Sequence, residues 1–482
     1  MNKMIDQLCQ DRVFYHFHQI SQIPHGSGNE KALSDYLLDW ASGLGLEAGQ
    51  DALNNVLIRK QAAPGYENGP CVMLQAHIDM VCEKAEGVEH DFTKDPIVWV
   101  IEDDILSTGG RTTLGADDGI GVALAMAILE DSSLRHPELE VLFTVNEEED
   151  LSGADGFDTA GMRSTYLFNL DHADESQVLC GSCGGMQVDF TVPVPAETVP
   201  GDYEYFLLSV SGLKGGHSGE DIHRGRGNAN VLLTRAMMAI DRLSPAYICS
   251  IKGGSFRLAI PREAECVMAL PAGQLSAVSD VLNTLETDFR AEMAATADNI
   301  QLSITPAASQ DMGTAPGKVL DALSLFPDGI YQMNEMLTGL VDTSNNMGEV
   351  YLTNGELHIV TEIRSARESL RTYLFQRMER LAKMMGGTCS FCNSYPSWDF
   401  RPASALREVY GKAYARFEGR QPDYLTVHAG LEVGCFFASK PEIDAISIGP
   451  NCWNFHSPSE CVSISSTKKV YQYLCAALAE LR

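Results

Sequence analysis

The stretch "CVMLQAHIDMVCEK", residues 71–84, begins as an apolar strand and ends on His77 and Asp79. Three other apolar segments also run into acidic or histidine side chains: "ELEVLFTVNEEED" (138–150), "TYLFNLDHADE" (165–175) and "AISIGPNCWNFH" (445–456). Apolar strands that alternate with helical patterns predict an α/β fold whose sheet is covered on both faces. Such sheets bind ligands beyond the carboxyl ends of their strands. We therefore expect the four strand ends to meet at one rim.

The composition excludes several classes of protein. The chain has 482 residues, of which 45% are hydrophobic, and this length suggests roughly two to four domains. Its formal net charge of -30 argues against nucleic acid and anionic membranes as partners. No apolar run reaches the roughly 18 residues of a membrane span. We expect a soluble, cytoplasmic protein.

The 13 cysteines form no tight framework, which fits a reducing compartment. Two pairs, Cys180/Cys183 and Cys389/Cys392, have CxxC spacing but lie too far apart in the chain for a zinc ribbon. We interpret them as incidental buried thiols.

The sheet domain is predicted to carry an insertion, because three of its four strands precede residue 175 and the fourth follows residue 440. From about residue 203 the pattern reads βαββαβ, the split βαβ arrangement. The prediction is a discontinuous catalytic domain, residues 1–187 and 395–482, with an inserted α+β domain of ferredoxin-like type at 188–394.

Five side chains near the predicted rim have the chemistry of metal ligands. Neighbouring strands lie about 4.8 Å apart, so residues at adjacent strand ends converge. Two imidazoles and three carboxylates suit a pair of cations such as Zn²⁺, with one His per ion and one shared carboxylate. These residues are His77, Asp117, Glu148, Asp171 and His456.

Each of these residues also has an ordinary structural interpretation. His77 resembles a loop histidine, and Asp117 stands where a helix begins, so either Asp117 or Asp118 caps that helix. The acids 147–150 resemble a solvated turn. Their mutual repulsion, however, would be relieved by cations, with one Glu holding an ion and its neighbour acting as general base.

Several motifs together resemble the aminoacyl-histidine dipeptidases, which are cytosolic Xaa-His dipeptidases among the co-catalytic dizinc exopeptidases. The resemblance extends over essentially the whole chain. The motifs that carry it are "HID", "LGADDGIG", "NEEEDLSGA", "NLD", "LKGGHSGEDIHRGRGNAN", "AIPRE", "IRSARES", "HAGLE" and "HSPSE".

This resemblance implies specific roles around the metals. The five ligands would bind two Zn²⁺ ions per subunit, with Asp117 as the bridge and Co²⁺ or Mn²⁺ as substitutes. Glu147 would be the general base, and Asp79 would orient the ring of His77. The peptide bond between Asp117 and Asp118 is expected to be cis.

In the inserted domain, the resemblance implies a lid that also forms a homodimer. His217 would stabilise the oxyanion, either in cis or from the partner subunit. Arg364 would bind the free carboxylate of the substrate, a task that suits a bidentate guanidinium. Gly430 would make a backbone contact near the same end.

Two positions depart from the family pattern. Leu258 stands in "FRLAIPREAE" where the family usually has Asn at a substrate contact, which could weaken catalysis or shift specificity. Residues 147–150 read "EEED", where the family commonly follows the two glutamates with a small pair. The extra charge would disfavour acidic substrates.

The predicted function is hydrolysis of unblocked dipeptides, including Xaa-His and β-alanyl-histidine, by a water that two zinc ions activate. One alternative keeps the chemistry and changes the substrate: an aminoacylase or carboxypeptidase of the same dizinc class. The other is a noncatalytic peptide-binding relative.

Overall fold

The computed structural model describes residues 3–296, 299–335 and 339–482. The helices are α1 (Lys3–Leu8), α2 (Arg12–Ile20), α3 (Lys31–Gly43), α4 (Ala116–Glu130), α5 (Glu147–Asp150), α6 (Ser152–Asp155), α7 (Ala229–Leu243), α8 (Leu275–Glu292), α9 (Pro316–Leu325), α10 (Glu368–Met384), α11 (Ala405–Glu418), α12 (Val433–Ser439) and α13 (Ile464–Leu478).

The strands up to the middle of the chain are β1 (Glu47–Gln50), β2 (Val56–Lys60), β3 (Val72–His77), β4 (Val100–Glu102), β5 (Ile105–Ser107), β6 (Leu139–Thr144), β7 (Tyr166–Asn169), β8 (Gln177–Ser182), β9 (Gly184–Pro193), β10 (Glu197–Thr198), β11 (Tyr203–Ser211), β12 (Gly216–His217) and β13 (Tyr247–Gly253). The remaining strands are β14 (Ala259–Ile260), β15 (Ala264–Pro271), β16 (Gln301–Pro306), β17 (Met312–Gly313), β18 (Gly329–Met333), β19 (Val341–Thr353), β20 (Glu356–Ser365), β21 (Thr388–Tyr395), β22 (Asp423–Val427), β23 (Asp444–Ser447), β24 (Cys452–Trp453) and β25 (Cys461–Ser463).

The chain forms two compact units. Unit 1 contains the residues up to Ser182 together with Trp398–Thr426 and Leu431–Arg482, and unit 2 contains Cys183–Ser397 and Val427–Gly430. The breaks after residues 182 and 397 lie near the boundaries expected from the sequence, after residues 187 and 394. The segment Val427–Gly430, expected in the catalytic domain, groups with unit 2.

Unit 1 is built on an eight-stranded sheet in the order β1-β2-β6-β3-β7-β23-β8-β22. The four strands that the sequence singles out are consecutive neighbours, and β6, β3, β7 and β23 are mutually parallel. Every residue of β3 and β6 is buried, as expected for parallel strands covered on both faces. The predicted α/β sheet is confirmed, and its four strand ends lie at one rim.

Helix α4 explains how the centre of unit 1 is filled. All of its residues from Ala116 to Leu129 are buried except Asp117. Such a helix, apolar on all sides, needs partners on every side, and it contacts α2, α13 and β3. Its N-terminus therefore has a fixed place beside the end of β3.

Unit 2 contains a nine-stranded sheet whose main path is β16-β11-β15-β13-β19-β20-β9-β21, with β18 paired to β19. The registered neighbours are antiparallel. Residues of α7, α8, α9 and α10 complete a separate apolar core against this sheet. The chain order β11, α7, β13, β15, α8, β16 is the one that the sequence pattern indicates.

Two further expectations concern membranes and thiols. No described helix combines the length and the apolar character needed to cross a membrane. All of the cysteines are free, and within the CxxC pairs Cys180 and Cys183 are buried. Cys392 is exposed, so the prediction of buried thiols is wrong for that residue.

Candidate metal centre

The structure brings all five predicted ligand side chains together in unit 1. They fall into overlapping groups whose ligand atoms lie within 4.8 Å of one another. The groups are His77/Asp117/Asp171, Asp117/Glu148/His456 and His77/Glu147/Glu148. Each histidine belongs to a different Asp117 group, and Asp117 is common to both, which is the pattern that a shared carboxylate requires.

Asp117 presents one carboxylate oxygen to each imidazole. Its Oδ1 lies 3.2 Å from His77 Nε2, and its Oδ2 lies 3.4 Å from His456 Nε2. On its other side, His456 Nε2 is 3.0 Å from Glu148 Oε1. His77 is buried, whereas the His456 side chain is 50% exposed. One position of the centre is therefore enclosed and the other is open to solvent.

The start of α4 separates coordination from capping. Gly115 has the left-handed φ of 70°, and the peptide bond between Asp117 and Asp118 is cis, as the resemblance implies. Asp118 Oδ1 accepts the Gly121 backbone N–H at 3.2 Å, which is the geometry of an N-terminal cap. Asp118 thus caps the helix and leaves the Asp117 oxygens free for the cluster.

Asp79 holds two parts of the centre at once. Its Oδ1 lies 3.3 Å from His77 Nδ1, so that Nε2 of the ring faces Asp117. The same carboxylate accepts the backbone N–H groups of Glu147 at 2.9 Å and Glu148 at 3.2 Å, and the Ser27 hydroxyl at 2.8 Å. Asp79 therefore positions the acidic turn as well as the histidine ring.

The electrostatics of the cluster favour bound cations. Burial is the largest cause that raises the pKa of Glu147 and of Asp171, and the negative charge of neighbouring carboxylates raises it further. Burial also raises the pKa of Asp117, but hydrogen bonds from His456 and His77 outweigh it and hold that pKa below its usual value. Carboxylates this close ionise together only when positive charge is near. The donor set therefore fits two divalent cations.

The acidic turn divides into two halves. Glu147 and Glu148 are half-buried and belong to the cluster, whereas Glu149 and Asp150 are exposed. Asp150 Oδ1 accepts the Asn146 amide at 2.8 Å and the Ser152 N–H at 3.0 Å. In this structure Asp150 stabilises the turn.

A buried polar network lies under the strand ends and was not predicted. Glu432, fully buried, accepts the Gln75 amide at 2.5 Å and the Thr144 hydroxyl at 2.8 Å. The Asn169 amide in turn donates to Gln75 Oε1 at 2.7 Å. The network ties α12 to β3, β6 and β7. Its signal in the sequence is a polar residue in each of these mostly apolar strands, within β3 and at the ends of β6 and β7.

A second group of predicted residues lies in unit 2, around Arg364. This side chain is 3% exposed, and its Nη1 donates to the Tyr395 hydroxyl at 2.8 Å. Its contacts with the Ser218 hydroxyl are longer, 3.4–3.5 Å, and its Nη2 lies 3.5 Å from His217 Nε2. The phenol and the hydroxyl are thus hydrogen-bond partners of the guanidinium, and the charge of the buried Glu362 acts on it from the same unit. No hydrogen bond joins Arg364 to a carboxylate in the described part of unit 2.

His217 is held as a neutral donor. Burial, followed by the charge of Arg364, lowers its pKa to about 4. The Glu220 backbone N–H donates to His217 Nδ1 at 3.0 Å, which places the proton of the neutral ring on Nε2. Nε2 is therefore available as a hydrogen-bond donor.

Tyr395 explains the glycine at position 430. A Cβ atom on Gly430 would lie 2.6 Å from Tyr395 Cε2, and one on Gly185 would lie 2.2 Å from the same ring. The ring is wedged between two glycines while its hydroxyl accepts from Arg364. The absence of both side chains is what allows this contact.

Two more residues of unit 2 can now be placed. Leu258 is half-buried, and its carbonyl accepts the Ser218 N–H at 2.8 Å, next to the pairing of His217 with Ala259. His428, to which no role was assigned from the sequence, is buried with Nε2 at 2.7 Å from the Ser344 hydroxyl. Burial, then the charge of Arg364, lowers its pKa to about 3, so it is neutral.

Comparison with known proteins identifies the family. Residues 208–297 match the peptidase dimerisation domain, M20_dimer. The chain is 36% identical over 481 residues to the cytosol non-specific dipeptidase of Escherichia coli K12, covering 99% of each sequence. It matches the crystal structure of aminoacylhistidine dipeptidase from Vibrio alginolyticus with a TM-score of 0.92 and 33% identity, over 99% of this chain and 98% of that one.

A more distant structure shares the fold alone. The aminopeptidase PepT of Bacillus cereus has a TM-score of 0.56 and 16% identity, over 98% of each chain. The near-complete relatives, at more than 30% identity, are decisive. The chain belongs to the family of the cytosol non-specific and aminoacylhistidine dipeptidases, which carries the M20 peptidase dimerisation domain.

Proposed function

We propose that this protein is a metallodipeptidase that hydrolyses the peptide bond of unblocked dipeptides, including Xaa-His and β-alanyl-histidine. The observation that carries the proposal is the position of Asp117, with one oxygen toward His77 and the other toward His456. Family membership supports the same activity, because the relatives are named as dipeptidases. Their names also favour a cytoplasmic location.

We propose that two Zn²⁺ ions occupy the centre, with Co²⁺ or Mn²⁺ as substitutes. His77 and Asp171 would hold one ion, His456 and Glu148 the other, and Asp117 both. When bound, the ions would polarise the scissile carbonyl and make the attacking water more acidic. A donor set of two imidazoles and three carboxylates supports this assignment.

The residues of the chain then move the proton. Glu147 takes it from the attacking water and returns it to the leaving amine. Its backbone is held by Asp79, so its carboxylate stays beside His77 and Glu148. Burial and the neighbouring acids raise its pKa, and cations bound beside it would favour the ionised form, which is the form that accepts a proton.

Unit 2 would supply the recognition groups. We propose that Arg364 binds the free carboxylate of the dipeptide and that His217 donates from Nε2 to the oxyanion, in cis or from a partner subunit. The guanidinium of Arg364, whose short hydrogen bond goes to a phenol rather than to a carboxylate, supports the first role, and the neutral ring of His217 supports the second. Gly430 would contact the substrate backbone, and Leu258 would limit which substrates fit.

We further propose a homodimer formed through unit 2, which the match to a dimerisation domain supports. The βαββαβ part of this unit would be ferredoxin-like. The sheet order β16-β11-β15-β13, with antiparallel neighbours, supports that description.

A dipeptide panel on metal-reconstituted protein tests the proposed function. A dipeptidase should cleave free dipeptides and spare N-acetylated ones. An aminoacylase, by contrast, would accept the acetylated forms. Glu147→Gln should abolish turnover while metal binding persists. Glu149→Gln, which alters an exposed acid two residues away, should remain active. Equal cleavage of acetylated and free dipeptides would replace the proposal with the aminoacylase alternative, and failure to cleave any would favour a noncatalytic relative.

A further inference from the structure

The carboxylate of Glu460 is enclosed by backbone N–H groups from one short segment. Its Oε2 accepts from Leu114 at 2.7 Å and Gly115 at 3.1 Å, and its Oε1 accepts from Ala116 at 2.8 Å and Asp117 at 3.3 Å. Glu460 is 2% exposed. No other residue type supplies two oxygens that accept four donors at this reach.

The segment Leu114–Asp117 is shaped to receive this carboxylate. Gly115 is in the left-handed region, and a Cβ there would lie 2.9 Å from Met80 Sδ. Successive N–H groups in such a turn point into a common concavity that binds anions. The segment is therefore ordered around Glu460, and Asp117 is its last member.

Glu460 also ends the loop that carries His456. Within this loop the Ser457 hydroxyl donates to Asn454 O at 2.7 Å, and Glu460 N donates to Ser457 O at 3.0 Å. These bonds form a compact turn, in which His456 has a φ of 55°. Because these hydrogen bonds hold the turn together, a displacement of Glu460 would also displace His456.

The segment that ends at Asp117 and the loop that carries His456 are far apart in sequence, and they are in contact at two points. One link is the approach of His456 Nε2 to Asp117 Oδ2 at 3.4 Å, and the other is the carboxylate of Glu460 on the Asp117 segment. The second link lies away from the ligand atoms and fixes the backbones that carry them. Bound cations would hold Asp117 and His456 together, whereas Glu460 fixes the distance between these two residues without cations.

We propose that Glu460 is a positioning residue that sets the distance between Asp117 and His456 and thereby the metal affinity of the group formed with Glu148. This inference rests on the proposed two-metal centre. A carboxylate is required because all four partners are donors. An amide at this position would turn two N–H donors of its own toward them and leave backbone N–H groups unpaired.

Metal titration of the full chain tests the role of Glu460. Wild type, Glu460→Gln and Glu140→Gln are stripped with a chelator and titrated with Zn²⁺ and with Co²⁺. Glu140 is the matched control, because it is fully buried and its Oε2 accepts the N–H groups of Arg163 at 2.9 Å and Ser164 at 3.0 Å, away from the ligands.

We expect Glu460→Gln to bind one of the two ions about 10- to 100-fold more weakly and to change the visible absorption of bound Co²⁺. Glu140→Gln should lower the melting temperature of the metal-free protein and keep both affinities and the spectrum. Wild-type affinities and spectrum in Glu460→Gln would overturn the proposal. So would an equal loss of affinity in both variants, since this would reflect stability alone.

Glu460→Asp decides the matter if Glu460→Gln does not fold. It keeps the charge and retracts the carboxylate by one methylene, so weaker binding of one ion supports the proposal and unchanged binding overturns it.

Failure of the proposed function can be distinguished from failure of this inference. Wild type that binds two ions without cleaving dipeptides overturns only the function, whereas wild type that binds fewer than two ions overturns this inference as well.

Discussion

Replacing Asp79 by Asn tests how the acidic turn is held. The carboxylate has two oxygens, and the backbone N–H groups of Glu147 and Glu148 each donate to a different one. Asparagine keeps a single oxygen. In either orientation its NH₂ group faces one of these N–H groups, which loses its acceptor, and the glutamate concerned moves.

The size of the effect follows from the bonds that are lost. One hydrogen bond from a buried backbone N–H to a charged oxygen contributes about 1.5–3 kcal/mol. If this loss is expressed in the transition state, kcat/KM falls about 10- to 150-fold, since each 1.36 kcal/mol is a factor of ten. The assay is steady-state hydrolysis of an Xaa-His dipeptide, with bound metal quantified in the same samples so that rate and occupancy are separated.

Asp444→Asn is the matched control for this experiment. Asp444 also accepts a hydroxyl, from Ser404 at 2.6 Å, and a backbone N–H, from Leu406 at 3.0 Å, but at the start of β23, away from the rim. The Asp444→Asn variant should have a lower free energy of unfolding and an unchanged kcat/KM. An Asp79→Asn enzyme with full metal content and wild-type kcat/KM would refute the positioning role of Asp79.

Three other changes probe unit 2. Arg364→Lys loses the bidentate grip on the substrate carboxylate and should raise KM about 10- to 150-fold in dipeptide kinetics, whereas Arg235→Lys, at an exposed pair with Glu292, should not. Gly430→Ala should push Tyr395 away from Arg364 and raise KM. An unchanged KM would contradict the proposed packing of the Tyr395 ring against Gly430. Burial raises the pKa of Asp328 to about 6 from 3.8, so the folded state holds this proton more tightly than the unfolded chain, and the free energy of unfolding falls as pH rises through this range. Asp328→Asn should therefore be more stable above about pH 6, by about 3 kcal/mol at most, with no gain below about pH 4 in denaturant titrations.

The catalytic sheet could be predicted because its signal is local and repeated. Strands β3, β6, β7 and β23 are mostly apolar and lead toward acidic or histidine residues, and parallel neighbours must place these ends at one edge. The same reasoning brought four of the ligand candidates to that edge, and Asp117 was recognised at the glycine-rich start of a helix. The structure places all five in one cluster.

The supporting residues could not be predicted, because their partners are backbone groups or distant side chains. Glu460 is recognisable only once the four N–H groups that surround it have converged. Tyr395 matters through the empty space at Gly185 and Gly430. Patterns of polarity describe side chains along one segment, and they do not report which remote donors or gaps that segment will meet.

The position of β23 has a consequence for the synthesis of the chain. Strands β7 and β8 are close in sequence, yet β23, residues 444–447, lies between them in the sheet. A nascent or clipped chain that ends before this strand leaves a slot with two unpaired edges, and such edges pair with other chains. Four of the five ligand candidates would already be present, but His456 would not. The sheet is therefore completed by β23 and the metal centre by His456, nine residues further on, so both depend on the last part of the chain, and we expect chains truncated before β23 to aggregate rather than persist as partly active enzymes.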